Sequence, residues 1–78
     1  MELILYQHAG CPYCQKVLRF MQSKGIAIPL KNSLEPANRA ALIKIGGKSQ
    51  VPCLVIDGKA LYESDDIITW LDKNYKKG

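Results

Sequence analysis

Long apolar runs are missing from this 78-residue chain. The longest, Val51 to Ile56, contains a proline and falls far short of the roughly 20 residues that a membrane-spanning helix needs, so no membrane segment is expected. Met1-Glu2-Leu3-Ile4-Leu5-Tyr6 has no basic stretch ahead of its apolar residues and no small-residue cleavage signal. It reads as a strand and not as a secretory leader, which predicts a cytoplasmic, reducing setting. Cysteine is scarce and odd in number, three in all, where a small secreted chain would more often carry an even disulfide framework. Aromatic residues, 8% of the chain, are not interleaved with the basic ones, so nothing points to nucleic acid. Repeats, linkers and low-complexity segments are absent too. With 47% hydrophobic and 23% charged residues, 1–78 is expected to fold as a single domain around one small core.

The net charge of +4 comes from 11 basic and 7 acidic residues, with Lys73, Lys76 and Lys77 near the C-terminus reading as a solvated helix end. A basic surface suits an anionic partner such as a charged tripeptide.

Two of the three cysteines stand close together, in Gly10-Cys11-Pro12-Tyr13-Cys14. The spacing puts two thiols one helical turn apart where a short strand gives way to a helix. The first sulfur then faces unpaired backbone N–H groups and the positive end of the helix dipole, which favour thiolate over thiol. Pro12 suits the first helical turn, where its missing N–H is no loss. Cys11 is the candidate nucleophile and Cys14 the candidate resolving thiol. The pair also fits half of a zinc site, but the other soft ligands, Cys53 and His8, form no second close pair. A static disulfide is the remaining alternative; a ring at a helix start is more often labile.

Along the chain, Glu2 to Tyr6 reads as a buried strand ending at Gln7-His8-Ala9-Gly10. From Pro12 to Lys24, Cys14, Val17, Leu18 and Met21 recur at helical spacing, and Gly25 supplies a left-handed stop. Ile26 to Leu30 reads as a second strand with an edge proline, completing a right-handed βαβ unit. Ser33 or Glu35 is expected to cap a second helix with Pro36 in its first turn and Ala37, Ala41, Leu42 and Ile45 inward, ended by Gly46-Gly47. Val51 to Ile56 and Lys59 to Tyr62 make an antiparallel hairpin about Asp57-Gly58. Ser64 caps the last helix, with Asp65 and Asp66 in its first turn and Ile67, Ile68, Leu71 and Tyr75 inward. The order βαβαββα implies an α/β fold: one four-stranded mixed sheet covered by helices on both faces, with the thiols at the carboxyl end of the first strand.

Val51-Pro52 needs its own account, because a proline there removes a ladder donor. A cis peptide is preferred to a trans strand entry, since it leaves the Val51 backbone free to pair with an extended peptide. At Ser64-Asp65 the cap explains the residues without a ligand, yet the same N–H groups make an anion site. A ligand carboxylate on the N–H groups of Ser64 and Asp65, with its ammonium on the Asp65 carboxylate, would satisfy an α-amino acid terminus. His8 either assists the thiolate or faces solvent, and Tyr13 shields the pair. Cys53 reads as a small buried hydrophobe whose closeness to the pair allows oxidation as a side reaction, and Trp70 as a packed helix residue. Lys48 is a weak candidate for a ligand carboxylate.

Cys11-Pro12-Tyr13-Cys14, then Val51-Pro52, Gly58 and Ser64-Asp65 at these spacings resemble a dithiol glutaredoxin of the thioredoxin superfamily, over almost the whole chain. The resemblance implies a thioredoxin-like fold and glutathione-dependent reduction of disulfides and protein-glutathione mixed disulfides. Glutathione is then the co-substrate, no cofactor is tightly bound and no metal is held; the enzyme is a monomer, and glutathione reductase is an indirect partner. Cys11 would become glutathionylated and be released by a second glutathione or by Cys14. Tyr13, Val51 and Pro52 would flank the ligand, with Val51 bonding its cysteinyl backbone and Ser64 and Asp65 holding its γ-glutamyl end. Two departures stand out. His8 occupies a position where many glutaredoxins carry lysine, and Glu63-Ser64 resembles the signature of glutathione transferase N-terminal domains. Different readings within the same resemblance are a glutathione-binding carrier of an iron-sulfur cluster, against which Pro12 argues, and a glutathione-binding regulatory module.

Overall fold

A computed structural model describes residues 2–75. Its elements are β1 (Leu3–Gln7), α1 (Pro12–Lys24), β2 (Leu30–Asn32), α2 (Pro36–Gly46), β3 (Cys53–Ile56), β4 (Lys59–Leu61) and α3 (Ser64–Asn74). They form one four-stranded mixed sheet in the order β2-β1-β3-β4, the thioredoxin-like arrangement expected from the sequence. β1 runs parallel to β2 and antiparallel to β3, with Leu5 opposite both Leu30 and Leu54; β3 and β4 are antiparallel.

Alternation along the two central strands builds two apolar layers. Leu5 and Leu54 face Val17 and Met21 of α1 and Ile67 and Leu71 of α3. Tyr6, Cys53 and Val55 point the other way, onto Leu42 of α2. The helices therefore cover both faces, and the sheet separates Cys53 from the helix that carries the thiol pair. Trp70 packs against the α1–α3 layer as a partly buried residue. The β3–β4 hairpin turns on Asp57 and Gly58, whose φ values of 47° and 85° are the pair of left-handed residues that a two-residue turn demands.

Several local expectations are corrected. Ile26 to Pro29 are not a strand: pairing with β1 starts only where the Leu5 N–H donates to the Pro29 carbonyl at 3.0 Å, and β2 follows. Ile28 is buried all the same, as part of the α1–α3 layer. In α2 the inward residue is Leu42, with Ala41 half-buried, while Ala37 and Ile45 are exposed. Its N-cap is Glu35, and Ser33 lies outside the helix with its N–H donating to the Gln7 carbonyl. Ser64 is the first residue of α3 and Glu63 its N-cap. Lys76 and Lys77 lie outside the described residues. No helix among the described residues is long and apolar enough to cross a membrane.

Candidate active site

β1 ends at Gln7, and the turn that follows carries the chain to Cys11, which caps α1. Its backbone is extended (φ −96°, ψ 115°) and its Sγ accepts the Cys14 N–H at 3.3 Å. The sulfur thus stands where a serine or aspartate oxygen stands in an ordinary N-cap. The Cys11 N–H donates to the His8 carbonyl at 3.3 Å, fixing the entry angle. One turn on, Cys14 is fully buried. Burial pushes its thiol up to about 12; the hydrogen bond with Cys11 adds to this and the His8 backbone partly offsets it. Both cysteines are buried, but unequally: Cys11, at the helix start, keeps 9% exposure, and Cys14 keeps none.

The Val51–Pro52 peptide is cis. The Val51 carbonyl, which the sequence leaves free for a ligand, instead faces the Cys11 sulfur at 3.8 Å. Beyond Val51 opens a cleft of about 600 Å³, and Tyr13, Pro52, Ser64 and Asp65 line it together with Val51. The chain thus brings five residues singled out from the sequence around one hollow beside the thiol pair. Tyr13, 65% exposed, offers most of its ring to whatever enters. Glu63 makes no side-chain cap bond to α3; its carboxylate accepts from Gln50 at 3.4 Å, so the first N–H groups of α3 have no side-chain cap.

Four further residues line the cleft, Lys16, Gln50, Glu63 and Asp66, none of them among the ligand residues expected from the sequence. Lys16 forms an ion pair with Asp65 across 49 residues of sequence, which helical periodicity cannot reveal. Lys48 is not in the cleft. Its ammonium lies 4.6 Å above the Tyr62 ring, and its carbonyl accepts the Tyr62 hydroxyl at 2.9 Å. His8 lines a smaller groove of about 160 Å³ with Ser33, Arg39 and Val51, on the other side of Val51 from the cleft's remaining residues, and it meets Cys11 through its backbone. Cys53 is fully buried in the α2 layer, so the side reaction expected of it is closed off; burial pushes its thiol up to about 11. A third hollow, of about 510 Å³, walled by Leu18, Met21 and Leu30, holds none of these residues.

A thioredoxin-like sheet with two thiols at the start of its first helix defines the class: a dithiol domain of the thioredoxin kind. The family model "Glutathione S-transferase, N-terminal domain" matches residues 5–77. Glutaredoxin 1 of Rickettsia typhi is 32% identical over 68 residues, covering 83% of this chain and 65% of that protein. Glutaredoxin 3 of Escherichia coli K12 is 30% identical over 66 residues, covering 81% and 77%. Among solved structures, glutaredoxin 2 of Salmonella typhimurium in complex with glutathione matches with a TM-score of 0.74 and 28% identity, over 91% of this chain and 33% of that one. The chain thus spans about two thirds of the first of these relatives and one third of the last. It belongs to the glutaredoxins and carries the likeness to glutathione transferase N-terminal domains over nearly its whole length.

Proposed function

We propose that this chain is a glutathione-dependent thiol-disulfide oxidoreductase acting on disulfides and protein-glutathione mixed disulfides. The observation that carries this reading is the pairing of Cys11, capping α1 with its sulfur, with a cleft that begins at the neighbouring Val51. The Cys11 thiolate attacks the glutathione sulfur of the mixed disulfide. The S–S bond breaks, the protein thiolate leaves and takes a proton from solvent, and Cys11 carries glutathione through a new S–S bond. The thiolate of a second glutathione attacks that glutathionyl sulfur, forming glutathione disulfide and restoring the Cys11 thiolate. The Cys14 N–H stays within reach of the Cys11 sulfur as its charge changes. In this assignment Tyr13 and Pro52 flank the ligand, the Val51 backbone positions its cysteinyl part, and the start of α3 at Ser64 and Asp65 receives its γ-glutamyl carboxylate.

Cys14 serves disulfide substrates, where it attacks the mixed disulfide on Cys11. Burial disfavours the Cys14 thiolate, so on glutathione mixed disulfides a second glutathione is assigned as the releasing thiol. The test is glutathione-dependent turnover of a small mixed disulfide coupled to glutathione reductase. The parent and Cys14→Ser proteins are expected to be active, and Cys11→Ser to lose at least about 10³-fold. A parent that binds glutathione without turnover would replace this reading with the carrier or regulatory one.

A further inference from the structure

The cleft is charged unevenly. Among the described residues that line it, Lys16 is the one cation, set against the carboxylates of Glu63, Asp65 and Asp66. A ligand carboxylate entering alone would meet three like charges, while a ligand ammonium alone would have to compete with Lys16 for Asp65. Lys16 and Asp65 already hold each other across α1 and α3, with side chains 52% and 79% exposed. Solvated pairs of this kind are weakly held and exchange readily.

On the reading that this cleft takes the γ-glutamyl end of glutathione, we propose that the Lys16–Asp65 pair is its selector for γ-linked over α-linked glutamyl groups. A γ-linked glutamyl residue carries an ammonium and a carboxylate on one carbon. A fixed carboxylate beside a fixed ammonium is the complement of that pair: Asp65 takes the ligand ammonium, and Lys16, released from Asp65, turns to the ligand carboxylate. Four charges then alternate in sign, and the carboxylate is shielded from Glu63 and Asp66. An α-linked peptide has its α-carboxyl consumed in the peptide bond. Its free side-chain carboxylate stands two methylenes away from the carbon that bears the ammonium, so with the ammonium on Asp65 it does not reach the neighbouring Lys16, which opening the Lys16–Asp65 pair leaves without a partner. Lys16 is thus a specificity residue that touches the ligand and takes no part in sulfur exchange.

The experiment is calorimetric titration with S-methylglutathione, which cannot exchange thiols, and with the same compound amidated at the γ-glutamyl α-carboxyl. The parent is expected to bind the carboxylate form about fivefold more tightly than the amide. Lys16→Met is expected to bind the two alike within about twofold, and Lys16→Arg to restore the preference. An unchanged preference in Lys16→Met overturns the proposal, as does tighter binding of S-methylglutathione by that variant, which would make Lys16 a plug. A parent that binds S-methylglutathione without preference overturns the role of Lys16 alone. A parent that binds neither compound overturns the glutathione reading and this proposal with it.

Discussion

Cys14 and Cys53 are both fully buried, and both thiols are raised from the ordinary value of 9.0, to about 12 and about 11. The cause is the same: the interior disfavours the anion. The unfolded chain sheds these protons near pH 9 while the folded chain retains them. Their contribution to stability is therefore whole below pH 9 and is lost as pH climbs through 11 and 12. Urea midpoints should fall between pH 8 and 10.5, and the fall should be shallower in Cys53→Ala, which nevertheless starts lower because of the cavity left among Tyr6, Leu42 and Val55. An equal slope in the two proteins would refute the assignment. Burial of Cys14 has a kinetic side too: closure of a Cys11–glutathione adduct by Cys14 should keep accelerating past pH 9, where an ordinary thiol levels off, as stopped-flow release of glutathione would record. The placement of Cys11 at the cap of α1 and of Cys14 one turn further inside was legible from a four-residue spacing, because one helical turn fixes both. Lys16 was not, because its partner Asp65 comes from α3 and only the packing of α1 beside it joins them.

At the level of elements, α2 is fastened to the β4 side by one close approach. A β-carbon at Gly46 would fall 1.8 Å from the Tyr62 hydroxyl and 2.9 Å from the Ala60 β-carbon, so the last turn of α2 can lie there only as glycine. Gly46→Ala should cost about 1–3 kcal/mol in chemical denaturation, since Tyr62 must leave its bond to the Lys48 carbonyl and its place beneath the Lys48 ammonium. Tyr62→Ala should then cost less in that background than in the parent, and strict additivity would mean the two do not share a contact. From the sequence, Gly46 was only a helix stop; its packing role depends on a tyrosine sixteen positions on. β2 was placed too early for a related reason. Ile26 and Ile28 are apolar because they cover the α1–α3 layer, and burial without ladder pairing carries the same composition as a strand. The cap of α3 was placed one residue late, on Ser64, because Glu63, at φ 26°, is an unusual N-cap that no propensity favours.

The whole molecule is two thin apolar layers sharing one sheet, and neither layer is large enough to stand alone. Leu42→Ala, in the α2 layer, should lower stability by about 2–5 kcal/mol. The same shift should appear in far-UV circular dichroism and in the fluorescence of Trp70, the single tryptophan, which reports from the opposite layer. Separate midpoints would mean that the layers unfold apart. This architecture was the most legible part of the chain, because Leu5 and Tyr6, or Leu54 and Val55, sort themselves to opposite faces by strand alternation alone. The same scale gives the uneven cleft another meaning. A chain of net charge +4 draws small anions in over about one Debye length, roughly 10 Å, whereas the three carboxylates around Lys16 act only over the last few ångströms. Distance thereby divides the encounter of a zwitterionic anion into two stages: the far field sets how often it arrives, and the near field sets which end leads.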